Sequence, residues 1–166
     1  MSRIASFERY QRERVNQKAK DAALAGFALA LSRTACRDGM APGDAWKPRQ
    51  ARQCLCGRLV QWELPHLVEP VGLLVSELVT NGFRYGAGTT VAVSLRLAEG
   101  AEGDVLRLTV WDGSPQCPQI CLPGLSAEGG RGLLIVEAVV TEWCGEWGVS
   151  PDCAMTWCLL PVAGAA

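Results

Sequence analysis

Histidine is nearly missing from this chain: His66 is the single one among 166 residues. It sits in a turn-like Leu-Pro-His, so the sequence offers no Ser/His/Asp or Cys/His set for nucleophilic catalysis. Excess charge is missing too. Sixteen Lys and Arg against seventeen Asp and Glu leave a net charge of −1, which gives no electrostatic reason to expect direct nucleic-acid binding. No apolar run reaches membrane-spanning length. Residues 7–20 are polar and charged where a signal peptide needs an apolar segment. A cytoplasmic location without a membrane partner is therefore expected.

Cysteine, by contrast, is plentiful. The eight are Cys36, Cys54, Cys56, Cys117, Cys121, Cys144, Cys153 and Cys158. Their spacings, C-x-C and C-x₃-C without a paired C-x₂-C, make a poor zinc pattern. Without export, reduced thiols are expected rather than disulfides. Apolar residues make up 49% of the chain, enough for one globular domain with a real core.

Residues 6–33 are helix-prone, and Ala22 to Leu31 is apolar almost all round. Gly39, Pro42 and Gly43 mark a linker. The spacing then predicts a helix after Pro48 carrying Ala51, Leu55, Leu59 and Trp62, and a second over 67–85 ended by Gly86 and Gly88. Thr90–Leu97 and Val105–Asp112 alternate as two strands of a hairpin, with an acidic loop over 98–104. Residues 113–131 lack periodicity and read as a long functional loop. A helix over 132–140 and strands over 141–149 and 154–160 complete the pattern. Helices followed by hairpins predict an α+β fold: a two-layer sandwich, with a mostly antiparallel sheet covered on one face by helices.

The 67–85 helix holds the most telling pattern. Glu77, Asn81 and Arg84 fall within an arc of about 60° at 100° per residue, while Val71, Val75, Leu78, Val79 and Gly82 cover the other side. A narrow polar group on an apolar helix needs a partner, and a hydrated Mg²⁺ carrying phosphates is one. Two later stretches follow in order: Val-Trp-Asp-Gly-Ser-Pro (110–115), with Asp112 at a strand end, and Glu-Gly-Gly-Arg-Gly-Leu-Leu-Ile-Val (128–136), a glycine turn opening onto an apolar helix. This is neither a Walker loop nor a Rossmann fingerprint.

The order Glu-x-x-x-Asn, Asp-x-Ser, Gly-Arg-Gly-Leu resembles the ATP-binding domain shared by gyrase B, MutL, the ninety-kilodalton heat-shock chaperones and histidine kinases (the Bergerat-type fold). Within that superfamily it is most similar to the short anti-sigma-factor serine/threonine kinases of actinobacterial type. The resemblance covers about residues 46–160. It implies an ATP-binding kinase-like domain over 46–162, with 1–45 as an N-terminal helical extension and linker.

The resemblance also implies roles. Glu77 is the general base that activates an attacking hydroxyl, and Asn81 is the Mg²⁺ ligand. Asp112 accepts from the adenine amino group, with Ser114 beside it. Gly130, Arg131, Gly132 and Leu133 form the turn under the phosphates, where glycine backbone and a helix N-terminus favour anions. Arg84 matches the pattern and could approach phosphate. The threonine that helps hold adenine falls on Met155 or is shifted to Thr156, and Tyr85 stands where histidine is common. The expected function is Mg-ATP-dependent phosphorylation of a small antagonist (anti-anti-sigma-like) protein, with a sigma factor as second partner and a homodimer left open. The alternative is a catalytically silent, ATP-responsive binding module. Without a second, helical phosphoacceptor domain, a true histidine kinase is not expected.

Overall fold

The computed structural model describes residues 26–36, 39–100, 103–118 and 131–163. Strand β1 (Phe27–Ser32) is followed by α1 (Lys47–Gln61), α2 (Val68–Tyr85), β2 (Thr90–Gly100), β3 (Gly103–Trp111), α3 (Gly132–Glu142), β4 (Glu146–Val149) and β5 (Met155–Pro161). The strands form one sheet in the order β1-β2-β3-β5-β4. Every neighbouring pair is antiparallel. The architecture is the expected two-layer α+β sandwich.

Period decides which face each strand buries. Val91, Val93, Leu95 and Leu97 of β2 and Leu106, Leu108 and Val110 of β3 are buried, and the residues between them are more exposed. These side chains meet Ala51, Leu55 and Leu59 of α1, Val71, Val75, Leu78, Val79 and Phe83 of α2, and Val136 and Val140 of α3 in one core. Burial of this apolar surface, at about 25 cal/mol per Å², is the main favourable contribution to the fold. No described helix is long and apolar enough to cross a membrane.

The helical reading of residues 6–33 is corrected at its C-terminal end. From Phe27 the chain is an edge strand, paired with β2 from Phe27↔Leu95 to Ser32↔Thr90. Its composition is helix-prone, but its period is two: Phe27, Leu29 and Leu31 are more buried than Ala28, Ala30 and Ser32. The boundary at residue 45 therefore cuts through the sheet. Asp44 fastens this region. Its carboxylate pairs with Lys47 at 2.7 Å and accepts the Thr34 amide at 2.7 Å, while Lys47 Nζ donates back to the Ser32 carbonyl at 2.5 Å. The first 25 residues lie outside the described ones.

Two boundaries also move. Residues expected as an acidic loop after Leu97 continue the ladder through Ala98↔Val105, Glu99↔Asp104 and Gly100↔Gly103. Gly103 turns the chain at φ +126°, which glycine adopts without a Cβ clash. Thr141 and Glu142, expected as strand, complete the last turn of α3.

Candidate functional site

Helix α2 carries Glu77 and Asn81 one turn apart, both half-buried, because its opposite side is anchored in the core. Gly132, the first residue of α3, lies directly against them. A β-carbon there would sit 2.8 Å from Glu77 Oε2, 3.3 Å from Asn81 Nδ2 and 3.5 Å from Asn81 Oδ1. Gly132 and the Glu-x-x-x-Asn pair, about fifty residues apart in sequence, thus meet at one point. The free N–H groups of the first helical turn favour an anion at that end.

Asp112 closes the other side of α2. A β-carbon on Gly82 would approach Asp112 Cβ to 3.2 Å, and one on Gly86 would approach it to 3.0 Å. Gly82 lets helix and strand end meet, at the cost of about 1 kcal/mol of helix propensity relative to alanine. The Asp112 amide donates to the Ala154 carbonyl at 3.0 Å, and the Asp112 carbonyl accepts from the Gly88 amide at 3.2 Å. Asp112 Oδ1 accepts the Ser114 amide at 2.8 Å, an Asx-turn that fixes the carboxylate relative to its own loop. Burial pushes the Asp112 carboxyl above the ordinary carboxylate range, against the opposing pull of the Ser114 amide, its own backbone and the Arg33 charge.

Ser114 is buried. Its hydroxyl donates to the Gln116 carbonyl and accepts the Gln116 amide, both at 3.1 Å. Its observed work is to shape the turn. Thr156 pairs with Val110 of β3. Since Val110 is buried under the helices, Thr156 shares that face and Met155, opposite Trp111, turns away. Register thus puts Thr156, and not Met155, on the helix-facing side of the sheet.

The other expected site residues make no recorded contact with Glu77, Asn81 or Asp112 among the described residues. Arg84 is exposed in the last turn of α2, where a cation complements the helix dipole. Arg131 is exposed at the start of α3, and Leu133 is 6% exposed and belongs to the core. Gly130 and most of the 113–131 loop lie outside the described residues. A cavity of about 340 Å³ lined by Glu137, Thr141, Trp147 and Trp157 contains none of the motif residues.

Arg33 was not foreseen. Its Nε donates to the Phe83 carbonyl at 3.0 Å and its Nη1 to the Gly88 carbonyl at 3.2 Å. It thus ties the end of β1 to the end of α2 and to the loop on Asp112. Its partners lie 50 and 55 residues away, so no local pattern marks it.

The expectation of reduced thiols is corrected at one pair: Cys117 and Cys153 form a disulfide. The hydrogen bonds from Asp112 and Gly113 to Ala154 bring the two turns together. The Cα atoms end 4.6 Å apart, within the span a disulfide bridges. Cys36, Cys54, Cys56, Cys144 and Cys158 are free. Burial pushes the Cys158 thiol up to about 12, which leaves it inert.

No family model matches the chain, and no curated protein matches it. Among solved structures it resembles the histidine kinase domain of the blue-light-activated histidine kinase from Erythrobacter litoralis. The likeness has 27% identity and a TM-score of 0.42, and covers 58% of this chain and 45% of the other. The chain thus spans under half the length of that relative, and so loose a superposition carries no functional inference.

Proposed function

We propose that this protein binds Mg-ATP between α2, Asp112 and the start of α3, and transfers the γ-phosphoryl group to a serine or threonine hydroxyl of a small antagonist protein. The supporting observation is the contact of Gly132 with both Glu77 and Asn81. It puts a carboxylate, a carboxamide and a helix N-terminus around one point. Asn81 offers a side-chain oxygen suited to Mg²⁺, which takes one or two protein oxygens and completes its shell with water and phosphate. Asn81 would be the protein's contribution to that coordination. When bound, the metal neutralises charge on the phosphates.

The chain's own residues supply the rest. Glu77 is the general base, holding the hydroxyl proton as the nucleophile attacks. The first turn of α3 offers its amides to phosphate oxygens, and a side chain at 132 would fill that space. Asp112, in its ionised form, accepts a hydrogen bond from the adenine amino group. Thr156 faces the same layer. The motif resemblance to anti-sigma-factor kinases supports a sigma factor as the second protein partner.

Isothermal titration with Mg-ATP and Mg-ADP tests the site. Heat with both is expected, and silence with both would refute the reading. Transfer of labelled phosphate to a candidate antagonist then tests the kinase step.

A further inference from the structure

Cys117 and Cys153 are 36 residues apart in sequence, and each abuts the Asp112 turn from a different side. Cys117 lies three residues beyond Ser114, whose amide bonds the Asp112 carboxylate. Cys153 directly precedes Ala154, whose carbonyl accepts the amides of Asp112 at 3.0 Å and Gly113 at 3.3 Å. The covalent bond therefore fastens the two segments that these hydrogen bonds also join. Cys153 holds a left-handed backbone at φ +64°, and its amide donates to the Ser150 carbonyl at 2.8 Å. Cys117 is exposed and Cys153 half-buried, so an incoming thiolate meets the Cys117 sulfur. Exposed disulfides of this kind are the labile ones.

We infer that the Cys117–Cys153 disulfide is a redox-set clamp on the Asp112 wall of the nucleotide site, tightening nucleotide binding when oxidised and loosening it when reduced by a dithiol. The inference rests on the nucleotide reading above. The clamp works by preorganisation: with the bond intact, the turn that carries the adenine-accepting carboxylate is held to the strand that carries Thr156. With it cut, only the backbone hydrogen bonds hold that junction. If about a tenth of the reduced molecules keep the turn in place, apparent affinity falls about tenfold.

The chemistry balances. A thiolate of the dithiol attacks Cys117 Sγ and forms a mixed disulfide, and the Cys153 sulfur leaves as a thiolate that takes a proton from water. The second thiol of the reagent, as thiolate, attacks its partner sulfur and releases Cys117, which is protonated in turn. Two electrons pass to the protein, and the reductant leaves as a cyclic disulfide.

The test uses the full chain in oxidised and dithiothreitol-reduced forms, beside a Cys117→Ser/Cys153→Ser variant. Two quantities are read: the Mg-ATP dissociation constant by titration, and the hydrogen-exchange rates of the Asp112 and Gly113 amides. Reduction is expected to speed both exchange rates and raise the dissociation constant about tenfold. The double variant should match the reduced protein in both and ignore dithiothreitol. Unchanged exchange on reduction overturns the clamp. So does faster exchange with an unchanged dissociation constant, or a double variant that still responds. Faster exchange with no Mg-ATP heat from either form refutes the nucleotide reading, and with it the effect on binding, and leaves only the hold on the Asp112 turn standing.

Discussion

A β-carbon on Gly132 would lie 2.8 Å from the Glu77 carboxylate, so the first residue of α3 is small because α2 presents its polar side there. Gly132→Ala should separate stability from function. Alanine is the better helix former by about 1 kcal/mol, and the obstructing atoms are the ends of movable side chains. The melting temperature should hold or rise, while Mg-ATP affinity falls at least about tenfold, about 1.4 kcal/mol. Calorimetry for melting and titration for binding check both halves; unaltered affinity would remove this contact from the site.

Asp112→Asn should weaken ATP by about 1–3 kcal/mol, since a pure acceptor is replaced by a group that also presents donors. The pH dependence has a definite sign. The folded carboxyl is raised above its ordinary value of 3.8 by burial. Its contribution to stability is therefore fully present below 3.8 and lost as pH rises through the folded value. ATP affinity runs the opposite way, because the ionised form is the acceptor. Titrations across the acid range should show wild-type affinity dropping as the pH is lowered through the folded value. The asparagine variant should lack that step and melt no lower than wild type at neutral pH.

Asn81→Ala should cut Mg-dependent ATP binding and abolish turnover, with the apo fold close to normal because the residue is only half-buried. Titration of wild type with and without EDTA is the control. Nucleotide affinity indifferent to EDTA would contradict the Mg²⁺ role.

Glu77→Gln keeps shape and removes the base. ATP should still bind, and phosphate transfer to the cognate antagonist should fall by about 10²–10⁴-fold. A variant as fast as wild type would leave the kinase standing and refute this choice of base. Silence of both proteins with every antagonist, with ATP bound, would favour the binding module.

Asp44 tests the fold away from the site. The hydrogen bond from Lys47 and the Thr34 amide hold its carboxyl below the ordinary 3.8. That stability is present above 3.8 and lost as pH falls through the folded value. Asp44→Asn should lower the melting temperature at neutral pH, and the gap to wild type should close in strong acid.

Sequence alone determined what depends on neighbours a few residues apart. Helix periodicity placed Ala51, Leu55 and Leu59 on one side of α1, and Glu77 and Asn81 together on α2, because i and i+4 share a helical face whatever the rest of the chain does. Alternation likewise placed both faces of β2 and β3. Tertiary structure decided what depends on partners distant in sequence. Phe27–Ser32 has helix-prone composition, and it is a strand because the ladder of β2 satisfies its backbone and the core takes every second side chain. Thr156 rather than Met155 faces the helices because pairing with Val110 fixes the register, and a one-residue shift would exchange them. Cys117 reached Cys153, and Arg33 reached Phe83 and Gly88, through chain crossings that no local pattern encodes. The motif residues were legible as a list. That Gly132 touches Glu77 and Asn81, and that Gly82 touches Asp112, was settled only when helix packing on the sheet brought them within contact distance.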